Sequence, residues 1–395
     1  MGSWHGRLLL VLLLSTGFLG GCTAGTPGPL PTPAPPGTTD SLERTILHFL
    51  EDGAPSVVVQ VTWPGGEWSK AYGVRNLDTN DPARPLDRFT AGNITQSMVA
   101  AEVLKLVDRK LLTLDQPVNA PLKRLVPALK PPGDVTVREL LNHTSGLPDF
   151  RGSLQPSPAP EPGLTLVRGL ELAAGLPWEP FNKGFFNYSE SNYLALGLLI
   201  EHVRSQPLQE VLREDLFTPL GLDKTSLGEP DRTSQDRLHG YVMAASARVD
   251  ATHAGYIAGS PADGVVSTTA DINKFYRSLL SGHLLPPGLL AAMEDTGLGS
   301  HGLGLQRFSI GCSAGYRFGQ AGSVAGYLAS SISSDDGGSQ VSMAVALPPL
   351  PADVDATAVE GRVGLYASQM VSASQETLDK FCPYTAGSTS PTVRE

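Results

Sequence analysis

Positive charge is in short supply in this chain. Lys and Arg number 29 against 39 Asp and Glu, a formal net charge of −10 with a pI of about 5.3. Without a basic patch there is no electrostatic route to a phosphate backbone, which excludes nucleic acid as a partner. Cysteine is scarcer still, with Cys22, Cys312 and Cys382 alone in 395 residues. Long apolar runs are missing: the stretch from Leu8 to Leu14 is too short for a secure membrane span. The chain also lacks a Gly-x-Ser-x-Gly elbow, a His-Glu-x-x-His pair, a Walker-type loop and any internal repeat. No metal-ligand pattern stands out, so neither a metal nor a cofactor is expected.

What is present begins with an export pattern. Arg7 supplies a short positive region, Leu8 to Leu14 an apolar one, and Leu19-Gly20-Gly21-Cys22 a small-residue cleavage site ending in cysteine. That ending resembles a bacterial lipobox, which implies a signal peptide over 1–22, lipid on Cys22, and a protein held at the extracytoplasmic membrane face. An ordinary secretory peptide or an uncleaved anchor is the alternative. Residues 23–40 are rich in proline and read as an extended tether. The folded body is expected over 41–382 and a polar tail over 383–395. With Cys22 lipidated, Cys312 and Cys382 are left as an even pair in an oxidising compartment; a disulfide and two separate buried thiols both fit.

Within the body, Leu42, Ile46, Leu47 and Leu50 mark one face of a helix starting near Asp40 or Ser41. Ser56 to Trp63 reads as a strand, Pro64-Gly65-Gly66 as a turn, and Trp68 to Val74 as the returning strand. The middle, about 86–254, is mostly helical: Ile94 to Asp108 has helical spacing, Thr136 to Glu139 forms a capping box, and Tyr193 to Val203 is an apolar helix. Gln155 to Gly163 is a proline-rich loop. Tyr327 to Ser334 and Gln340 to Leu347 flank the turn Asp335-Asp336-Gly337-Gly338, and a helix over about Ala356 to Val371 closes the body. The order predicts an α+β fold, an antiparallel sheet flanked by N- and C-terminal helices with a helical insertion.

Several segments, in order, carry a family pattern: Phe89 to Ala100, Asn142-His143-Thr144-Ser145-Gly146-Leu147-Pro148-Asp149, Asn187 to Tyr193, Pro219 to Leu222, Asp263 to Thr268, and Phe318-Gly319-Gln320-Ala321-Gly322. Together, over about 41–370, they resemble the serine β-lactamase and penicillin-binding protein superfamily, in its class C β-lactamase-like branch of DD-peptidases and esterases. In that family a Ser-x-x-Lys motif supplies nucleophile and base, a Tyr-x-Asn motif a second base, and a third motif a Lys or His beside the pocket. The matching positions here are Asn93 and Gln96 for the serine and lysine, Tyr188 and Glu190 for the tyrosine and asparagine, and Gln320 for the third cation. An amide at position 93 cannot form an acyl-enzyme, and Gln96 cannot act as a base near neutral pH. Asn192 allows a slip of register in the second motif. Ser97 is a hydroxyl one turn after Asn93, but Ala100 follows it where a lysine is needed, and none of the chain's lysines has a serine three residues before it.

The resemblance therefore implies a β-lactamase-like scaffold whose acyl-transfer residues are replaced. A non-catalytic envelope lipoprotein binding a cell-wall or peptide ligand in its cleft is the first expectation. A hydrolase with divergent chemistry, in which Glu190 activates water, is the second, and a scaffolding module the third. Glu190 has a structural reading as well, as a solvated or hydrogen-bonded carboxylate at a helix N-terminus, where the dipole favours it. Loss of two cations and gain of Glu190 should leave the cleft neutral to anionic; like charges ~4 Å apart repel by about 4 kcal/mol at an effective dielectric of 20, which disfavours a carboxylate ligand. His143 reads as a hydrogen-bonded structural residue. His48 and His202 sit in helices with acidic neighbours and read as surface residues; His239, His253, His283 and His301 show no carboxylate pairing at recognisable spacing, although a new Ser-His-Asp triad needs only proximity in space.

Overall fold

A computed structural model describes residues 33–382, apart from 132, 156, 158–159, 161, 179–182, 229–233, 245, 298, 309–314 and 350–355, and without the side chains of 356–359. Cys22, the signal region, most of the tether, Cys312 and the tail lie outside the described residues. Cys382 is disulfide-bonded. Among the described residues no helix is long and apolar enough to cross a membrane.

Helix α1 (Asp40–Glu51) leads into β1 (Ser56–Trp63), which turns back as β2 (Gly66–Gly73). Near the other end, β8 (Gln306–Phe308), β9 (Arg317–Val324), β10 (Tyr327–Ser334) and β11 (Gln340–Ala346) precede α10 (Ala356–Asp379). These strands form one antiparallel sheet in the order β2-β1-β11-β10-β9-β8, so first and last strands pair at its centre, with Val58 opposite Ala344. The period-2 pattern of β1 explains its two faces. Val57, Val59 and Val61 join Leu42, Ile46, Phe49, Tyr366 and Met370 in a core beneath α1 and α10. On the opposite face Thr62, Gln340 and Ser342 meet Asn273 in a polar seam, where Ser342 Oγ donates to Asn273 Oδ1 at 2.6 Å and Gln340 Nε2 to the Asn273 carbonyl at 2.9 Å. Asn273 belongs to α8 (Thr269–Leu280), which seats the second, larger core against the sheet.

That larger core surrounds α2 (Ile94–Asp108) and α6 (Glu190–Arg204), with α4 (Val137–Leu141) packed on α6. A small sheet of β3 (Phe89–Thr90), β7 (Val265–Ser267) and β4 (Ser226–Leu227) holds the entry to α2. The α+β architecture, the antiparallel sheet and the terminal helices agree with the sequence reading, as do the bounds of β1, β10 and α2 and the Thr136–Glu139 capping box. Four details differ. Leu47 is 53% exposed while Phe49 takes the buried position in α1, because the helix packs on α10 along the stripe of Leu42, Ile46 and Phe49. Strand β2 starts at Gly66, which the tight turn brings into register opposite Trp63. Helix α6 starts at Glu190 rather than Tyr193, since its polar first turn is buried in the cleft. The last helix runs on to Asp379, burying Ala373 and Leu378 against the sheet.

Candidate functional site

The turn before α2 is fixed from two sides. Ala91 N donates to the Val265 carbonyl at 2.8 Å, and Val265 N donates to Thr95 Oγ1 at 3.0 Å. Gly92 adopts the left-handed conformation (φ 58°) that lets the chain turn into the helix. From the third side β9 presses close: a Cβ on Gly322 would lie 2.2 Å from Asn93 N. Asn93 is therefore held at the helix entry against the strand that carries Gln320. Its side-chain amide makes no hydrogen bond among the described residues, and it does not cap α2.

One helical turn on, Gln96 is 2% exposed and fully engaged. Its Nε2 donates to Tyr188 Oη at 3.1 Å, and its Oε1 lies 3.1 Å from His143 Nε2. The proton positions follow from the partners. His143 Nδ1 faces two donors, Asn192 Nδ2 at 3.1 Å and the Ser189 N–H at 3.4 Å, so it must accept. Nε2 then carries the hydrogen and donates to Gln96 Oε1. Asn192 is oriented in turn by Ser145, whose hydroxyl donates to Asn192 Oδ1 at 2.5 Å. A single directional chain results, from Ser145 and Asn192 through His143 and Gln96 to the Tyr188 oxygen. His143 is 3% exposed and sits in the left-handed region (φ 59°), a conformation uncommon outside glycine but accessible to histidine. Burial, reinforced by His301, lowers its pKa to about 4, consistent with a neutral ring.

Tyr188 accepts from Gln96 and donates to no described residue, so its O–H is a free donor at the cleft. Its pKa is raised, first by burial and then by Glu190, even though the Arg151 guanidinium carbon lies 5.8 Å from its ring centroid. Arg151 is a cation that the sequence reading did not count, and it stands against three carboxyls, Asp149, Glu190 and Asp263. Arg151 pairs with Asp149 through Nε and Nη2 (3.1 and 2.8 Å to Oδ1 and Oδ2) and with Glu190 Oε1 through Nη1 at 3.0 Å. Asp149 also accepts the Glu190 N–H at 3.2 Å, so this carboxylate caps α6 where the helix dipole favours it. Burial alone would lift the Asp149 pKa, but the Arg151 contacts override it and hold the carboxyl low.

Glu190 opens α6 as a buried, ion-paired carboxyl, which fits the hydrogen-bonded form of the helix-end reading and not the solvated one. Its side chain is 8% exposed, and burial, then Asp263, raise its pKa well above the usual range. Asp263 is raised too, by burial. Glu190 and Asp263 line a recess of about 220 Å³ together with Arg151 and with Ser323 and Val324 of β9. Beside Tyr188 the chain exposes Phe185 and Phe186, and Phe186 stacks on His301 with centroids 4.4 Å apart.

Of the residues singled out in the sequence, Gln96 and Tyr188 are in direct contact, Glu190 joins them through Arg151, and Asn93 borders β9. Gln320 stands apart: it is 5% exposed and its Oε1 accepts from its own neighbour, Ala321 N, at 3.3 Å. Asn192 is 1% exposed, with its Oδ1 accepting from Ser145 and its Nδ2 donating to His143, so both ends of its amide are engaged, which counts against the slipped register. Ser97 is fully buried, donates to the Gly304 carbonyl at 2.7 Å and accepts from Tyr276 at 2.9 Å, so it is not a displaced nucleophile. His239 does pair with a carboxylate, Asp250 at 2.7 Å, but its other nitrogen meets Asn76 at 3.3 Å, an amide where a triad needs a hydroxyl. Arg151 and Asp263 carried no role in the sequence reading. Asp149 and Asp263 lay within segments that resembled the family, yet only the fold shows them converging on Glu190.

The family model described as Beta-lactamase matches residues 42–345. The Bacillus subtilis (strain 168) protein PbpX is 25% identical over 217 residues, which are 55% of this chain and 52% of PbpX; the chain thus spans about half the length of such relatives. The D-amino acid amidase of Ochrobactrum anthropi SV3, solved with L-phenylalanine amide, superposes with a TM-score of 0.72 at 22% identity, covering 85% of this chain and 98% of the amidase. The octameric penicillin-binding protein homologue of Pyrococcus abyssi gives 0.68 at 20% identity, covering 85% and 78%. These structural likenesses establish a β-lactamase/transpeptidase-like fold.

Proposed function

The chain belongs to the beta-lactamase family, and from that premise we propose that it is an envelope ligand-binding protein that performs no acyl transfer. The observation that carries this reading is the state of Gln96. Its amide is locked between the His143 N–H and the Tyr188 oxygen, both at 3.1 Å, where acyl transfer needs a group that takes up a proton. Tyr188 offers a donor and, with its raised pKa, no phenolate. Asn93 has no nucleophilic oxygen. In this reading the protein is exported, held by lipid on Cys22, and uses the cleft to bind a neutral or cationic group of a wall or peptide ligand.

A hydrolase that uses Glu190 as its base is the weaker reading, because Arg151 at 3.0 Å occupies one carboxylate oxygen and burial favours the neutral acid. The test is covalent labelling. Purified protein treated with fluorescent penicillin or a fluorophosphonate should stay unlabelled, and so should Asn93→Ser, whose new hydroxyl still has no base. Stable labelling of the wild-type chain would overturn the proposal; labelling of Asn93→Ser alone would show that a base is present.

A further inference from the structure

We propose that an aromatic recess at the far end of the sheet from the cleft is a docking groove for this chain's own proline-rich segment, residues 23–32. The recess, of about 570 Å³, lies where β1, β9 and β10 meet the end of α10. Strand β9 runs from Arg317 at this recess to Val324 at the Glu190 recess, which sets the two ~23 Å apart. The walls are Trp63, Pro64, Tyr316, Leu378 and Phe381. The Trp63 indole stacks on Phe381, with centroids 5.5 Å apart and planes at 17°, and Tyr316 is 45% exposed. Two of the rim charges are engaged within the chain: Arg317 with Asp379 and the Gln375 carbonyl, Asp336 with the Ser334 hydroxyl and the Gly338 N–H. An aromatic wall of this kind takes a polyproline segment, which is extended in advance and has few N–H donors to desolvate.

The course of the chain identifies the occupant. Residues 36–39 turn onto α1, fixed by Thr38, which is 4% exposed and bonds the Pro35 carbonyl through both N and Oγ1. Pro36, Gly37 and Thr38 line a neighbouring hollow with Arg44, Glu376 and Lys380, whereas Pro33 and Pro35 line the aromatic recess, which shares Lys380. Traced toward its N-terminus, the chain therefore passes from one hollow to the other. Pro27, Pro29 and Pro31 continue the two-residue spacing of Pro33 and Pro35, so the segment beyond carries the repeat of the part already seated. Its ten residues reach about 31 Å in a polyproline conformation, long enough to line a recess of this volume. The rival inside the chain is the stretch after Cys382, which also borders the recess, but 383–395 hold only Pro383 and Pro391 and no such repeat. Docking makes the tether a strap: it would hold this end of the sheet, and not the cleft, next to residue 22.

The experiment is photo-cross-linking of the purified full chain carrying Leu30→p-benzoylphenylalanine, with the products mapped by mass spectrometry. Most cross-links should form within one chain and fall on residues 63–64, 315–317 and 378–382. Trp63→Ser combined with Phe381→Ser should cut that yield at least fivefold. Should this pair fail to melt like the wild-type protein, the combination of Pro27→Gly, Pro29→Gly and Pro31→Gly decides, because it leaves the recess itself unchanged; the yield should again fall at least threefold. Cross-links scattered over the body, or a yield indifferent to the three proline substitutions, would overturn the proposal. Cross-linked dimers would overturn it too, by giving the recess to a second copy of the chain. So would recess cross-links from Tyr384→p-benzoylphenylalanine with none from position 30, which would give it to the C-terminal stretch.

Discussion

If Gln96 is a structural bridge, its partnership with His143 must appear as a coupling energy. Gln96→Leu keeps the volume roughly but orphans the His143 Nε2–H in a site 3% exposed. A buried donor left unmade costs about 1–3 kcal/mol, whereas Tyr188, only partly buried, can recover a partner from water. The single variant should therefore lose about 2–3 kcal/mol. His143→Phe orphans Gln96 Oε1, the Asn192 amide and the Ser189 N–H together, and places phenylalanine at a φ of 59°. Its loss should reach about 3–5 kcal/mol. The Gln96–His143 bond is lost in both singles and each leaves one of its ends orphaned, whereas the double variant loses the bond once and orphans neither end. The double variant should thus be about 1–2 kcal/mol more stable than additivity predicts, while the backbone cost at 143 appears on both sides of the cycle and cancels. Urea unfolding of the four proteins at neutral pH, with equal slopes, supplies the numbers. Additivity within about 0.5 kcal/mol would mean that no shared hydrogen bond links the two residues, and the directional chain would be wrong.

Two further outcomes are expected. Glu102, on the face of α2 away from the cleft, is fully buried, and burial followed by Asp215 pushes its pKa up to about 8 from 4.5. A folded pKa above the unfolded one gives stability that is complete below about pH 4.5 and lost as pH rises through about 8, with a ceiling near 5 kcal/mol that Arg204, 3.4 Å away, already tempers. The urea midpoint of the wild-type chain should fall from pH 5 to pH 9 by more than that of Glu102→Gln, and parallel pH profiles would count against the buried neutral carboxyl. At the other end of the chain, Cys22→Ser should move the protein from the membrane fraction to the soluble extracytoplasmic fraction; unchanged membrane association would refute lipid anchoring through that residue.

The elements that sequence revealed best are those whose period and punctuation agree. Strand β1 alternates between two cores, and the β10–β11 turn carries Asp335-Asp336-Gly337-Gly338, so both were legible to the residue at most ends. Leu47 and Phe49 were not separable, because one helical stripe admits either until the packing partner α10 is known. The site shows the same division. Asn93, Gln96, Tyr188 and Glu190 could be placed because each falls inside a segment with a recognisable local pattern. Arg151 and Asp263 could not, since their roles exist only through contacts between distant segments: the 3₁₀ turn after Asp149, the start of α6 and the stretch before β7. The left-handed backbone of His143 is similarly silent in sequence, where a histidine carries no mark of its φ.

The replacement at position 96 is chemically matched to its surroundings in a way that lysine would not be. The two donors on His143 Nδ1 fix the ring proton on Nε2, so position 96 must present an acceptor there and, at the same time, a donor to Tyr188. Glutamine has one of each; lysine has three donors and no acceptor, and would set its ammonium against the His143 N–H in a buried site. Asn192 strengthens the constraint, because Ser145 fixes its amide with the donor end toward His143. Restoring lysine at 96 would therefore require the Ser145–Asn192–His143 arrangement to change with it. A cleft in which the amide, the ring tautomer and the tyrosine proton all fit one pattern is organised for neutral hydrogen bonding at its centre, and its ionisable groups are gathered beside it at Asp149, Arg151, Glu190 and Asp263.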